Sequence, residues 1–161
     1  MRTSIGIDVA APPHVVFALA RDVTRWSDLL PHYMRSRAAG RTPDGLLVTF
    51  VARRDLVRGL GLGIPVAWRS LTWSEPATCR LRFLHRGGAT RGMSVTWTIA
   101  PVGPDRSRVT IAHDFPAPRA WAWFVDRAFT RPIATRTLAT FRALAEATWT
   151  SGAPAPANES A

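Results

Sequence analysis

The sequence predicts an α+β domain in which a curved antiparallel sheet of about seven strands wraps around a long C-terminal helix, with two short helices after the first strand. Three observations carry this. Residues 4–9 alternate around Ile5, Ile7 and Val9; residues 33–115 hold alternating segments divided by turn signals; and beyond Pro116 and Pro118 the apolar periodicity becomes helical. A sheet that is apolar on one face must be covered, and only one long helix is available to cover it.

The elements follow in order. Ala11-Pro12-Pro13 ends the first strand, and Val15, Val16, Leu19 and Ala20 then fall at helical spacing. A second short helix carries Trp26, Leu29 and Leu30 and stops at Pro31. Strands are expected at 33–40, 45–54, 64–74, 78–86, 91–101 and 106–115, joined by turns such as Thr42-Pro43-Asp44-Gly45, Arg86-Gly87-Gly88 and Gly103-Pro104-Asp105. The C-terminal helix carries Trp121, Phe124, Val125, Ala128 and Phe129, then Leu138, Phe141, Leu144, Ala145 and Thr148. Pro132 lies inside it and predicts a break or kink near residues 128–132. The domain is expected to span residues 1–149, with 150–161, rich in Ala, Pro, Ser and Gly, as a disordered tail.

Length allows one substantial core and argues against a second catalytic domain: the chain has 161 residues. All 21 basic residues are arginine, against 11 acidic ones, for a formal charge of +10. The summed field favours anions, which leaves transient contact with an anionic membrane open. The arginines are scattered, with no basic helix suited to a major groove, so no specific nucleic-acid partner is expected. The single cysteine, Cys79, excludes an intramolecular disulfide and fits a cytoplasmic compartment. No apolar run is long enough to be a signal peptide or a membrane span.

Alternation places Cys79, Leu81, Phe83 and His85 on one face of their strand and Val109, Ile111, His113 and Phe115 on one face of theirs. One strand separates the two, so His85 and His113 fall near the same end of the sheet, about 10 Å apart, too far to share one metal ion but able to flank a ligand. No metal site and no cofactor are expected. Cys79 reads as an inert residue of an apolar face. Gly59, Gly61 and Gly63 resemble a phosphate-binding loop, but Ile64-Pro65-Val66 continues as strand, which favours a flexible hairpin at a cavity mouth. Trp73, Trp121, Trp123 and Trp149 read as core or lid residues.

Ile7-Asp8-Val9-Ala10-Ala11-Pro12, the following Val16-Phe17 and Asp22-Val23, and Trp26-Ser27-Asp28-Leu29-Leu30-Pro31-His32-Tyr33 resemble the START-like (SRPBCC, helix-grip) superfamily, and within it the polyketide cyclase/dehydrase group. The strand Met93-Ser94-Val95-Thr96-Trp97-Thr98-Ile99, Arg108-Val109-Thr110-Ile111 and the helix end Phe141-Arg142-Ala143-Leu144-Ala145-Glu146 extend the likeness over about 4–148. The resemblance implies an internal cavity for a hydrophobic small molecule. It also implies acid/base cyclisation or dehydration, or else carriage or sensing of a lipid, quinone or similar apolar metabolite.

It places Trp26, Tyr33, Trp68 and Trp97 on pocket aromatics; strand alternation adds Phe83, His85 and Val95, and the helical periodicity Phe124, Phe129 and Phe141, as further ligand contacts. Tyr33 and His113 become the candidate proton donor and acid/base group. The family's cavity arginine falls at about Thr72. Arg69 is the nearby substitute, at an odd spacing that points it to the opposite face unless a bulge intervenes, so which face of the strand 64–74 looks inward stays open. Monomer and homodimer both remain compatible with the sequence.

Overall fold

Each turn signal between residues 33 and 115 closes an antiparallel pair. The computed structural model describes residues 1–55 and 63–152. Its strands are β1 (Arg2–Val9), β2 (Tyr33–Thr42), β3 (Gly45–Asp55), β4 (Gly63–Glu75), β5 (Arg80–Gly87), β6 (Ser94–Gly103) and β7 (Arg106–Asp114). They form one sheet in the order β1-β7-β6-β5-β4-β3-β2, every neighbouring pair antiparallel. The hairpin glycines have steric reasons. Gly45 and Gly88 have φ of 149° and 80°, and a Cβ there would lie 2.5 Å from the Thr72 carbonyl oxygen and 2.6 Å from that of Ala67.

Only the link from β1 to β2 is long, because the two strands lie at opposite edges. Pro12 and Pro13 open α1 (Pro13–Ala20), and after a 3₁₀ turn the short α2 (Trp26–Leu29) completes the crossing. Ser36 of β2 fixes α2: its hydroxyl accepts from the Ser27 amide at 2.8 Å and donates to the Thr24 carbonyl at 2.8 Å.

The inward face of the sheet is the core. Val48, Phe50, Leu81, Phe83, Trp97, Ile99, Val109 and Ile111 are all buried, each contributing about 1.5–3 kcal/mol if fully withdrawn from water. The helix that covers them has three parts: α3 (Arg119–Val125), a π-helical turn over Asp126–Thr130, and α4 (Arg131–Thr150). Ile133, Ala134, Thr137, Leu138, Phe141 and Ala145 give α4 one buried stripe.

At the expected place the helix does not break but widens into a π-helical turn, and the cause is visible. In an α-helix the Pro132 nitrogen would bond the Ala128 carbonyl, but proline has no N–H and its ring crowds that oxygen. The helix widens into the π turn, Arg131 N–H bonds Asp126 O, and Arg54 of β3 donates its Nε–H to the Ala128 carbonyl at 2.5 Å.

Three local expectations need correction. Cys79 is not on the β5 face: it ends a 3₁₀ turn opened by Pro76, with φ of 47° and its amide bonded to the Pro76 carbonyl. Strand β6 begins at Ser94 rather than 91, because Arg91 and Met93 amides close turns onto Gly88 and Thr90 carbonyls. Trp73, Trp121, Trp123 and Trp149 are exposed rather than in the core. Gly59, Gly61 and most of the expected tail lie outside the described residues.

Candidate ligand-binding site

Between the sheet and the C-terminal helix lies a cavity of about 80 Å³. Alternation on four adjacent strands supplies one wall: Val66 and Trp68 from β4, Phe83 and His85 from β5, Val95 and Trp97 from β6, Ile111 and His113 from β7. Tyr33 and Phe50 close one side, while Phe129, Thr130, Ile133, Ala134 and Thr137 face them from the helix. Trp26 forms the floor. Its indole N–H donates to the Ala20 carbonyl at 2.9 Å, and its ring lies 5.2–5.8 Å from those of Tyr33, Phe50, Phe83, Trp97 and Phe141.

Sequence reasoning therefore brought together Trp26, Tyr33, Trp68, Phe83, His85, Val95, Trp97, His113 and Phe129. Four other candidates lie elsewhere. The register irregularity beside Arg69 exists, but Arg69 pairs with Gly87 and Ser70 with His85, so the extra residue is Arg86 on β5. Strand β4 meets β3 without interruption, Trp68 to Phe50 and Ser70 to Val48. Trp68 thus points inward, and Arg69 remains exposed on the outer face. Among the described residues no arginine lines the cavity.

Thr72 shares the inward face and pairs directly with Phe83, whose ring separates it from the cavity's other lining residues. Its hydroxyl donates to the Leu46 carbonyl at 3.0 Å, and it lines a separate groove of about 750 Å³ beside Leu19 and Leu29. Phe141 lies behind Trp26 and Trp97 as core. Phe124 is 45% exposed and reaches the cavity only through its edge contact with Phe129.

Residues not anticipated in this wall include Phe50, Thr90, Thr130 and Thr137. Phe50 had a signal, its alternation with Val48 and Ala52. Thr137 had another, its spacing four residues from both Ile133 and Phe141. Thr90 had none, since it comes from the turn after β5.

The polar groups at the cavity are all held neutral. Burial lowers His85 to a pKa of about 3, helped by His113; its Nδ1 lies 2.7 Å from the Thr90 hydroxyl, and its ring stacks on Trp68 at 6.0 Å. His113 is lowered to about 4, again mainly by burial, with Asp126 opposing and Arg131 reinforcing the shift. Burial pushes the Tyr33 phenol well above its usual range, with the Thr137 hydroxyl working the other way. Tyr33 is accordingly a hydrogen-bond donor across the whole physiological range.

His32, fully buried behind Tyr33, was not among the candidates. The Thr137 hydroxyl donates to the Ile133 carbonyl at 2.8 Å, so it accepts from His32 Nε2–H at 2.9 Å, which leaves Nδ1 as a bare lone pair. Burial and the nearby Arg136 lower His32 to about 4, with Asp55 opposing. The chain His32–Thr137–Ile133 fixes the helix against the edge of the cavity. Among the described residues no cluster of His, Cys, Asp and Glu could hold a metal ion.

No curated protein matches the chain by sequence. Solved structures do match. The Zhui aromatase/cyclase from Streptomyces sp. R1128 superposes with a TM-score of 0.74 at 18% identity, covering 92% of this chain and 94% of that one. The di-domain aromatase/cyclase BexL of the BE-7585A biosynthetic pathway gives 0.68 at 23% identity; 92% of this chain aligns to 47% of it, about half its length. A START superfamily protein from Mycobacterium smegmatis gives 0.63 at 15% identity, with 89% and 98% coverage. These likenesses establish the helix-grip fold. At the level of sequence, the family model described as polyketide cyclase/dehydrase and lipid transport matches residues 2–146, nearly the whole domain, and the chain belongs to that family.

Proposed function

We propose that the cavity binds a flat, conjugated apolar molecule carrying a carbonyl or hydroxyl group, and that it acts on such a molecule as a cyclase/dehydrase. The supporting observation is the convergence of Tyr33 and the two neutral histidines, His85 and His113, on one aromatic cavity. Trp68, Trp97 and Phe50 offer ring faces for stacking. Cavities that enclose a whole drug-sized ligand measure about 300–1,000 Å³, so at about 80 Å³ this one holds a single ring or short segment unless Trp68 or Phe129 swings aside.

For a poly-β-ketone, the His113 ring removes a proton from a carbon between two carbonyls. The resulting carbanion attacks a second carbonyl while the Tyr33 O–H donates to its oxygen, forming the C–C bond and an alcohol. The Tyr33 oxygen, having given up its proton, takes the remaining proton from the attacking carbon, His113 returns its own proton to the departing hydroxyl, the C=C bond forms and one water leaves per ring closed, with both side chains restored. His85, bonded to Thr90, orients the substrate.

A specific observation favours a second reading. A histidine held near 4 is a weak base, and among the described residues no cation lines the cavity to stabilise an enolate. Both facts suit a carrier of an unreacted aromatic or quinone-like metabolite. The test uses an anthraquinone as binding probe and a poly-β-ketone as substrate. The enzyme reading expects Tyr33→Phe and His113→Asn to lower turnover by about 10²-fold or more with anthraquinone affinity little changed. Undiminished turnover in both variants overturns the acid/base assignment. Tight binding with the poly-β-ketone recovered unchanged supports the carrier.

A further inference from the structure

Among the described residues, three of the exposed aromatics gather in the first part of the C-terminal helix. Of its seven residues α3 buries only Ala122 and Val125, while Trp121, Trp123 and Phe124 are 46%, 59% and 45% exposed. Trp121 and Phe124 stack as one apolar pair and Trp123 adds a third exposed ring on the same short helix, a cluster of aromatics that an isolated domain has no reason to keep in water.

The charges around the patch have one sign. Arg119, Arg127 and Arg131 are exposed, and the lone carboxylate between residues 116 and 135, Asp126, accepts from the Thr3 hydroxyl at 3.0 Å and from Arg131 at 3.4 Å. Among the described residues no carboxylate pairs with Arg119 or Arg127. A two-fold dimer through this face would set those arginines against their own copies.

Aromatic side chains, tryptophan above all, settle at the level of lipid headgroups, and exposed cations beside them gain about 1 kcal/mol each near an anionic leaflet. Apolar area and positive charge together bind a helix to the interface without spanning it. The patch also connects inward. Trp121 stacks on Phe124 with centroids 5.6 Å apart, Phe124 meets Phe129 edge-on at 5.9 Å, and Phe129 lines the cavity.

We propose that α3 and the π-helical turn form a docking surface for anionic phospholipid bilayers, with Trp121, Trp123 and Phe124 seated among the headgroups and Arg119 and Arg127 on the lipid phosphates. The docking goes beyond the function proposed above. Its corollary, that the Trp121–Phe124–Phe129 trail passes apolar ligands between bilayer and cavity, rests on that reading.

Flotation with vesicles of phosphatidylcholine, with and without phosphatidylglycerol, tests it. Wild-type protein is expected to float with the phosphatidylglycerol vesicles and to bind phosphatidylcholine alone at least about tenfold more weakly, with binding falling as salt rises. The Trp121→Ala/Trp123→Ala variant loses at least about tenfold in vesicle affinity, and Arg119→Gln/Arg127→Gln loses the preference for phosphatidylglycerol. All replaced side chains are exposed, so thermal melts stay unchanged, and retained anthraquinone binding separates failure of docking from failure of the cavity. Three results overturn the proposal: no flotation by the wild type, equal flotation by the aromatic variant, or a lipid-free dimer that the aromatic variant dissolves. Binding to soluble polyglutamate as tight as to vesicles overturns it too, in favour of an acidic protein partner.

Discussion

The two ends of the C-terminal helix obey different rules. Along α4, apolar residues recur on one stripe and fit the sheet, with Phe141 1% exposed against Trp26 and Trp97. Along α3 the largest side chains point away from the protein, and only small or branched residues face inward. Pro132 and the π turn divide the two. One part of the helix holds the fold together, and the other is free to meet something else, because its burial was never needed for stability.

The sharpest test of that division is a matched pair of truncations. Phe141→Ala is expected to cost about 3–5 kcal/mol in a urea melt, since it empties the centre of an aromatic cluster. Trp123→Ala, which removes a larger ring, should stay within about 0.5 kcal/mol. A comparable loss from both would erase the contrast.

Acid probes the two ends separately. His32 is held to α4 through Thr137, while His113 lies beside Asp126 and Arg131 at the π turn. Both titrate near 4 when folded and near 6.5 when unfolded. Between those values the unfolded chain binds protons that the folded one refuses, so the stability is complete above pH 6.5 and drains away as pH falls towards 4. Each histidine contributes on the order of 2 kcal/mol of loss at pH 5. Urea midpoints measured from pH 7 to 4.5 should fall, and His32→Gln and His113→Gln should each flatten the fall.

A smaller effect is expected at the junction. Arg54→Ala leaves the half-buried Ala128 carbonyl to water and should cost about 1 kcal/mol. In the Pro132→Ala background, where a restored N–H serves that carbonyl, the cost of losing Arg54 should shrink. A double-mutant cycle reads the coupling, and strict additivity would refute the account of the π turn.

The pattern of what the sequence revealed follows from the range of the forces involved. Strand alternation and proline placement are local, so the sheet, the place of the helix irregularity and the inward positions of Trp97, Phe83 and His113 could be read directly. Arg69 turned on which of two paired strands carried a bulge, and a bulge belongs to the pairing rather than to either strand. Thr72 and Phe141 were read as facing inward, which they do, but alternation does not say how far along the sheet the cavity extends. His32 escaped notice because its role depends on a threonine 105 residues away. Trp121 and Trp123 resisted for the opposite reason: bulk predicts burial only where the fold has room to bury it.

The Ala128 carbonyl, held by an arginine from the sheet instead of by its own helix, has a consequence for motion. Such a helix is two cooperative units joined at one seam, and amide exchange should show it: slow along α4, faster across residues 119–131, with a step at Pro132. Of the helix residues that roof the cavity, Phe129 and Thr130 then belong to the faster-exchanging side of the seam and Ile133, Ala134 and Thr137 to the slower.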